Sequence, residues 1–215
     1  MNEPHPDILF VHGLWMHACV FALHRRRLHQ MGRRSHAYSY PSLRGSLEGA
    51  ADALAAFIAR LERRPLHLIA HSLGGCVVLD MLARDRPDGV GRVVLLGSPT
   101  RGSYPAQQIL RVPLLRHALG RVLPQWLARA MPQVDPALEI GVIAGNRSIG
   151  VGRIVPDLPK PNDGMVTVEE TRWPGARDHI VLPVTHMQML WSRACLTQAV
   201  RFVDSGAFDH GLAPD

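Results

Sequence analysis

Residues 69 to 76 read Ile-Ala-His-Ser-Leu-Gly-Gly-Cys, and the serine at their centre is the first residue that could do chemistry. An apolar run ends on Ser72, and two glycines open a second apolar run. A free serine hydroxyl is a weak nucleophile at neutral pH. It needs a base to take its proton, a third group to orient that base, and donors aimed at the developing oxyanion. A strand that turns sharply into a helix can present such a serine, provided the residues two before and two after are small. Ala70 and Gly74 meet that condition. The bland alternative is a serine that only caps the following helix. Ser148, in Asn146-Arg147-Ser148-Ile149-Gly150, has a similar local pattern but no helix after it.

The base is expected beyond the last strand. His186, in Val184-Thr185-His186-Met187, meets this expectation. His179 falls at the start of that strand, the wrong end of the sheet, and the side chain of His71 should point away from its neighbour Ser72. The acid is expected between serine and histidine in chain order. Asp163, on the turn Asn162-Asp163-Gly164, is favoured, with Asp157, Glu169, Glu170 and Asp178 as rivals. The oxyanion donors would be the N–H groups of Leu73, at the start of a helix, and of Leu14, in the loop opened by His12-Gly13. His12 then serves as a brace.

These residues need a scaffold that gathers them. Strands are expected at Ile8–Val11, His36–Tyr40, Leu66–Ala70, Val93–Leu96, Glu139–Ala144 and Ile180–Val184. Helices are expected at Val20–Met31, Leu47–Leu61 (capped by Ser46), Leu73–Ala83 and Met187–Val203. Helical material after each strand argues a single α/β domain with a mostly parallel six-stranded sheet, covered by helices on both faces. Ligands bind at the carboxyl ends of the strands in such sheets.

The chain has 215 residues and 47% hydrophobic composition, enough for one domain spanning 1–215 with a sizeable core. The net charge is +6, but only Lys160 among the basic residues is lysine and the arginines are scattered. A nucleic-acid partner is therefore discounted. The 3 cysteines form no disulfide or metal spacing, and the histidines show no metal-binding pattern; no metal or other cofactor is expected. The polar start shows no signal peptide, no run is long enough to span a bilayer, and a cytoplasmic location fits best.

Taken together, Val11-His12-Gly13-Leu14, Ala70-His71-Ser72-Leu73-Gly74-Gly75, Asn162-Asp163-Gly164-Met165-Val166 and Val184-Thr185-His186 resemble the α/β-hydrolase fold. More narrowly, they are similar to the small bacterial lipases and the PGAP-like hydrolases, as is the stretch Leu96 to Ser103. The resemblance runs from about residue 7 to 204. It implies a cofactor-free serine esterase or lipase with Ser72, Asp163 and His186 as triad, the N–H groups of Leu14 and Leu73 as oxyanion hole, and strand order 2-1-3-4-5-6. Ala70 stands where a glycine is more usual, and the insertion after the fourth strand is longer than in the smallest members.

That insertion, residues 104–137, carries Val112, Leu115, Leu119, Val122 and Trp126 at helical spacing. Pro113 and Pro124 are expected to open short helices. The segment either packs on the sheet or forms a small helical cap over an acyl pocket, and its basic flank could touch a lipid surface. Leu14, Trp15 and Met16 would form the opposite, substrate-binding wall. The expected partner is a small-molecule ester with an apolar acyl group. A thioesterase, amidase or acyltransferase would share this machinery, and a non-catalytic binding protein is the alternative from another class.

Overall fold

The computed structural model describes residues 5–61, 65–84, 86–112, 114, 116–149 and 158–211. Six strands form one sheet in the order β2-β1-β3-β4-β5-β6, and every neighbouring pair is parallel. They are β1 (Asp7–Val11), β2 (Ser35–Tyr38), β3 (Leu66–His71), β4 (Val90–Leu96), β5 (Ile140–Gly145) and β6 (Asp178–Leu182). β1, β3 and β5 are buried along their whole length, as expected for a parallel sheet covered on both faces.

Side-chain alternation divides the core in two. Leu9, Val11, Leu68, Ala70, Val93, Leu95 and Val142 face α2 (Leu47–Ala59), α3 (Leu73–Arg84) and α5 (Val122–Leu127). Ile8, Phe10, Ile69, Val94, Leu96 and Ile143 face α1 (Ala22–Gln30) and α6 (Arg193–Ser205). α2 begins where the sequence places it, with the Ser46 side chain accepting from the Gly49 N–H at 3.0 Å.

Several boundaries differ from the sequence expectation. The first helix is preceded by a 3-10 turn at Ala18–Phe21, and the α-helix proper starts only at Ala22. The last helix starts at Arg193, not near Met187, because Ser192 caps it through the Cys195 N–H and a separate 3-10 turn occupies Gln188–Leu190. The final strand begins earlier, at Asp178, so His179 lies inside it. Between β5 and β6 the described residues form loops and turns, not a helix.

The insertion also breaks up differently. Its first helix is α4 (Tyr104–Leu110), capped by Ser103, and a 3-10 turn follows at Arg116–Leu119. α5 starts at Val122, with Pro124 inside its first turn, where a missing N–H costs nothing. Leu119, Val122 and Trp126 are buried while Val112 is exposed, so the apolar stripe is not one continuous helix face. Pro113 and Leu115 lie outside the described residues. Among the described residues no helix is long and apolar enough to cross a membrane.

Candidate active site

Ser72 sits between the last residue of β3 and the first of α3, with φ of 54°. A left-handed backbone at a non-glycine residue costs on the order of 1–3 kcal/mol and persists only where its surroundings enforce it. They do so here. The Ser72 N–H donates to the Leu96 carbonyl at 2.9 Å, fixing the elbow to β4. A Cβ at Gly74 would come within 2.5 Å of the Val11 and His12 carbonyl oxygens, so the helix can approach β1 only with glycine there. The same contact brings the loop after β1 against the elbow.

That loop is held by His12, which is buried and stacks on Tyr40. The His12 Nε2 accepts from the Tyr40 N–H at 3.2 Å, so its proton is on Nδ1, donating to the Gly13 carbonyl at 2.8 Å. Burial lowers its pKa and keeps it neutral. His12 is thus a brace. Leu73 is the first residue of α3, so its N–H has no partner within the helix.

Asp163 and His186 meet at the same end of the sheet. His186 Nδ1 donates to Asp163 Oδ2 at 2.7 Å, and the His186 N–H donates to the Asp163 carbonyl at 2.8 Å. The other carboxylate oxygen accepts from the N–H groups of Met165 (2.9 Å) and Val166 (2.7 Å). Both side chains are buried. With Nδ1 committed as donor, the neutral imidazole carries its lone pair on Nε2.

The rival carboxylates have other occupations. Glu169 pairs with Arg101 and Arg172. Glu170 accepts from the N–H groups of Thr167 and Tyr104. Asp178 accepts from the N–H groups of Phe208 and His179 and meets His210. Asp157 lies outside the described residues. His179 Nε2 meets the Thr171 hydroxyl at 3.1 Å, away from Ser72, and Ser148 is in an exposed loop.

Two residues beneath the pair escape the sequence pattern. His71 is completely buried, and its Nε2–H donates to the His186 carbonyl at 3.1 Å. Burial, and secondarily the nearby His186, push its pKa well below the ordinary histidine value. Gly97 has φ of 55°, and a Cβ there would stand 3.0 Å from Asp163 Oδ2 and 3.1 Å from His186 Nδ1. Its place directly after a strand in Leu96-Gly97-Ser98 was the available signal.

Ser72 and His186 line one cavity of about 660 Å3, together with Leu14, Leu73, Trp15 and Met16. Ile109, Leu119 and Leu123 of the insertion supply the facing wall, with Met165 and Val166 of the Asp163 turn. The surroundings are predominantly apolar, and the volume is in the range of roughly 300–1,000 Å3 typical of sites for small organic ligands. Among the described residues, no group of three or more His, Cys, Asp and Glu side chains could hold a metal ion.

The sequence matches the alpha/beta hydrolase family over residues 8–207. The chain belongs to this family. Similar solved structures include a Bacillus licheniformis lipase, BlEst2, in mature form. It has a TM-score of 0.76 at 20% identity, and the match covers 95% of this chain and 94% of that one. The ydeN gene product of B. subtilis gives 0.67 at 16%, covering 94% and 100%. A metagenomic carboxyl esterase, MGS0156, gives 0.65 at 17%, covering 93% and 75%. At these identities the likeness is one of fold. No curated protein sequence matches this alpha/beta hydrolase.

Proposed function

We propose that this alpha/beta hydrolase is a serine esterase of the lipase type, cleaving carboxylic esters with apolar acyl groups. The observation that carries the reading is the placement of Ser72, on a strained elbow, in one cavity with His186, whose Nδ1 is bonded to the buried Asp163. In this reading His186 Nε2 takes the Ser72 proton as the hydroxyl oxygen attacks the ester carbon. The N–H groups of Leu14 and Leu73 hold the oxyanion. Collapse of the tetrahedral intermediate breaks the bond to the alcohol oxygen, which receives the proton from His186. Water, activated by the same histidine, then frees the acid and restores the serine.

The apolar cavity supports an apolar acyl group. Residues 104–137 act as a cap in this reading, because Ile109, Leu119 and Leu123 close one side of the cavity. The cap is fastened at several points. The Trp15 indole N–H donates to the Ala118 carbonyl (2.8 Å), the Leu47 N–H to Gln125 Oε1 (2.7 Å), and the Trp126 indole to the Pro99 carbonyl (3.0 Å).

A fluorophosphonate probe tests the reading. Folded wild-type protein should be labelled, Ser72→Ala should not, and the variant should lose hydrolysis of p-nitrophenyl esters. Absence of labelling on folded wild-type protein overturns the assignment. A parallel series of acyl thioesters separates an esterase from a thioesterase.

A further inference from the structure

The loop after β1 has open space on both sides. One side is the cavity containing Ser72 and His186. The other is a shallower groove of about 530 Å3 between this loop and residues 39–44. Trp15, Met16 and His17 line both, so the two sites share one wall.

The groove is predominantly apolar, and three hydroxyl groups along it already have partners in the protein, while the side chains of His17 and Arg44 also line it. Ser42 Oγ accepts from the Trp15 N–H at 3.2 Å, and Ser39 Oγ from the Ala18 N–H at 2.8 Å. The Tyr40 hydroxyl donates to the His12 carbonyl at 3.1 Å. The apolar surface it offers a ligand comes from Met16, Tyr40, Pro41, Leu43 and the indole of Trp15, beside the charged Arg44.

Trp15 forms the partition. Its φ is 60°, rare and costly for a bulky side chain, and its backbone N–H and indole N–H are both tied down, to Ser42 and to Ala118. Even so it is 54% exposed. A large aromatic held rigidly at the mouth of a site offers contact area to a ligand at little entropic cost.

We propose that the groove binds the alcohol moiety of the substrate, an apolar chain or ring that crosses Trp15 while the acyl group occupies the cavity beside Ser72. The proposal rests on the esterase reading. An ester has two arms diverging from one carbonyl, and here two apolar sites diverge from one partition. The deeper, less open cavity suits the acyl group, which stays bonded to Ser72 until water arrives. The open groove suits the alcohol, which leaves first, when its bond to the carbonyl carbon breaks and its oxygen takes the proton from His186.

Three esters separate the arms: ethyl butyrate, hexyl butyrate and ethyl octanoate. Leu43→Asp places a charge in the groove on a partly exposed side chain. It should lower kcat/KM for hexyl butyrate about tenfold and leave both ethyl esters within about twofold. Leu43→Ala should act in the same direction by a smaller factor, which guards against a folding defect in the first variant. Equal loss on hexyl butyrate and ethyl octanoate, or no loss on either, overturns the proposal. Binding of 1-hexanol to Ser72→Ala protein reads the groove without turnover: saturable binding weakened by Leu43→Asp supports it, and binding unaffected by that change overturns it. Failure of phosphonate labelling would instead remove the esterase reading, so the two failures are distinguishable.

Discussion

The imidazole of His71 lies against that of His186, with ring centroids 4.6 Å apart and planes tilted by 49°. The two residues are joined again through the His71 Nε2–H and the His186 carbonyl. A buried neutral ring thus supports the proposed base from below, and its one N–H fixes the backbone that carries it. His71→Phe should keep the ring contact and lose the donor, leaving a buried carbonyl unpaired at a cost of about 1–3 kcal/mol. We expect kcat to fall roughly five- to tenfold with KM nearly unchanged, since about 1 kcal/mol corresponds to a factor near five. His71→Gln, which can still donate, should recover part of the loss. Steady-state kinetics on a p-nitrophenyl ester checks both; an unchanged kcat in His71→Phe would show that the contact is structural only.

Asp163→Asn should be the most informative change at the proposed acid. The side-chain oxygen that accepts from Met165 and Val166 can be retained, so the turn survives, while the amide no longer fixes the His186 tautomer. In a serine-protease triad this exchange costs about 10^4 in kcat. We expect a loss of roughly 10^3- to 10^4-fold and a melting temperature close to wild type, measured by turnover and circular dichroism. Retention of more than a tenth of the activity would point to another acid.

Gly97→Ala should damage activity more than stability. The left-handed backbone alone makes alanine unfavourable by about 1–2 kcal/mol. The added methyl would also press on Asp163 Oδ2 and His186 Nδ1. Paired thermal melts and kcat measurements test this, and a stability loss with full specific activity in the folded fraction would contradict it.

Acid should destabilise the fold through its buried histidines. Burial and the neighbouring Arg92 push the His67 pKa down to about 4. An unfolded histidine takes its proton near 6.5. Between those values the unfolded state binds more protons, so unfolding becomes easier as pH falls. The contribution is complete above 6.5 and lost toward 4, on the order of 3 kcal/mol for this group. His12, His24, His71 and His179 are also lowered by burial and act with the same sign. Denaturant unfolding between pH 7 and 4.5 should show the slope, and His67→Gln should reduce it.

The alternation of short apolar runs with amphipathic ones makes the parallel sheet readable, because period and turn chemistry are local properties. Ser72 is readable for the same reason: Ala70 and Gly74 reveal a crowded elbow before any coordinates. The turn of Asp163 is also visible in Asn162-Asp163-Gly164, although its hydrogen bond to residue 186 is not. The roles of His71 and Gly97 depend on contacts across long sequence separations, which no spacing encodes. Trp15 shows the same limit: the sequence places it at the substrate wall, but not its bond to Ala118 or the second groove behind it. In the insertion the helical spacing announces short helical pieces but not their bounds: Val112 is exposed, a 3-10 turn spans Arg116–Leu119, and the helix containing Pro124 starts two residues before it.

The strand order has a temporal consequence. β2, β1 and β3 make up one half of the sheet, and β4, β5 and β6 add to the β3 edge in turn. A ribosome releases the serine elbow early, whereas the aspartate turn and the histidine loop emerge among the final segments. If Ser72 and His186 act as proposed, the hydroxyl waits during synthesis for its proton acceptor, and a nascent chain should acquire turnover only when its closing strand docks.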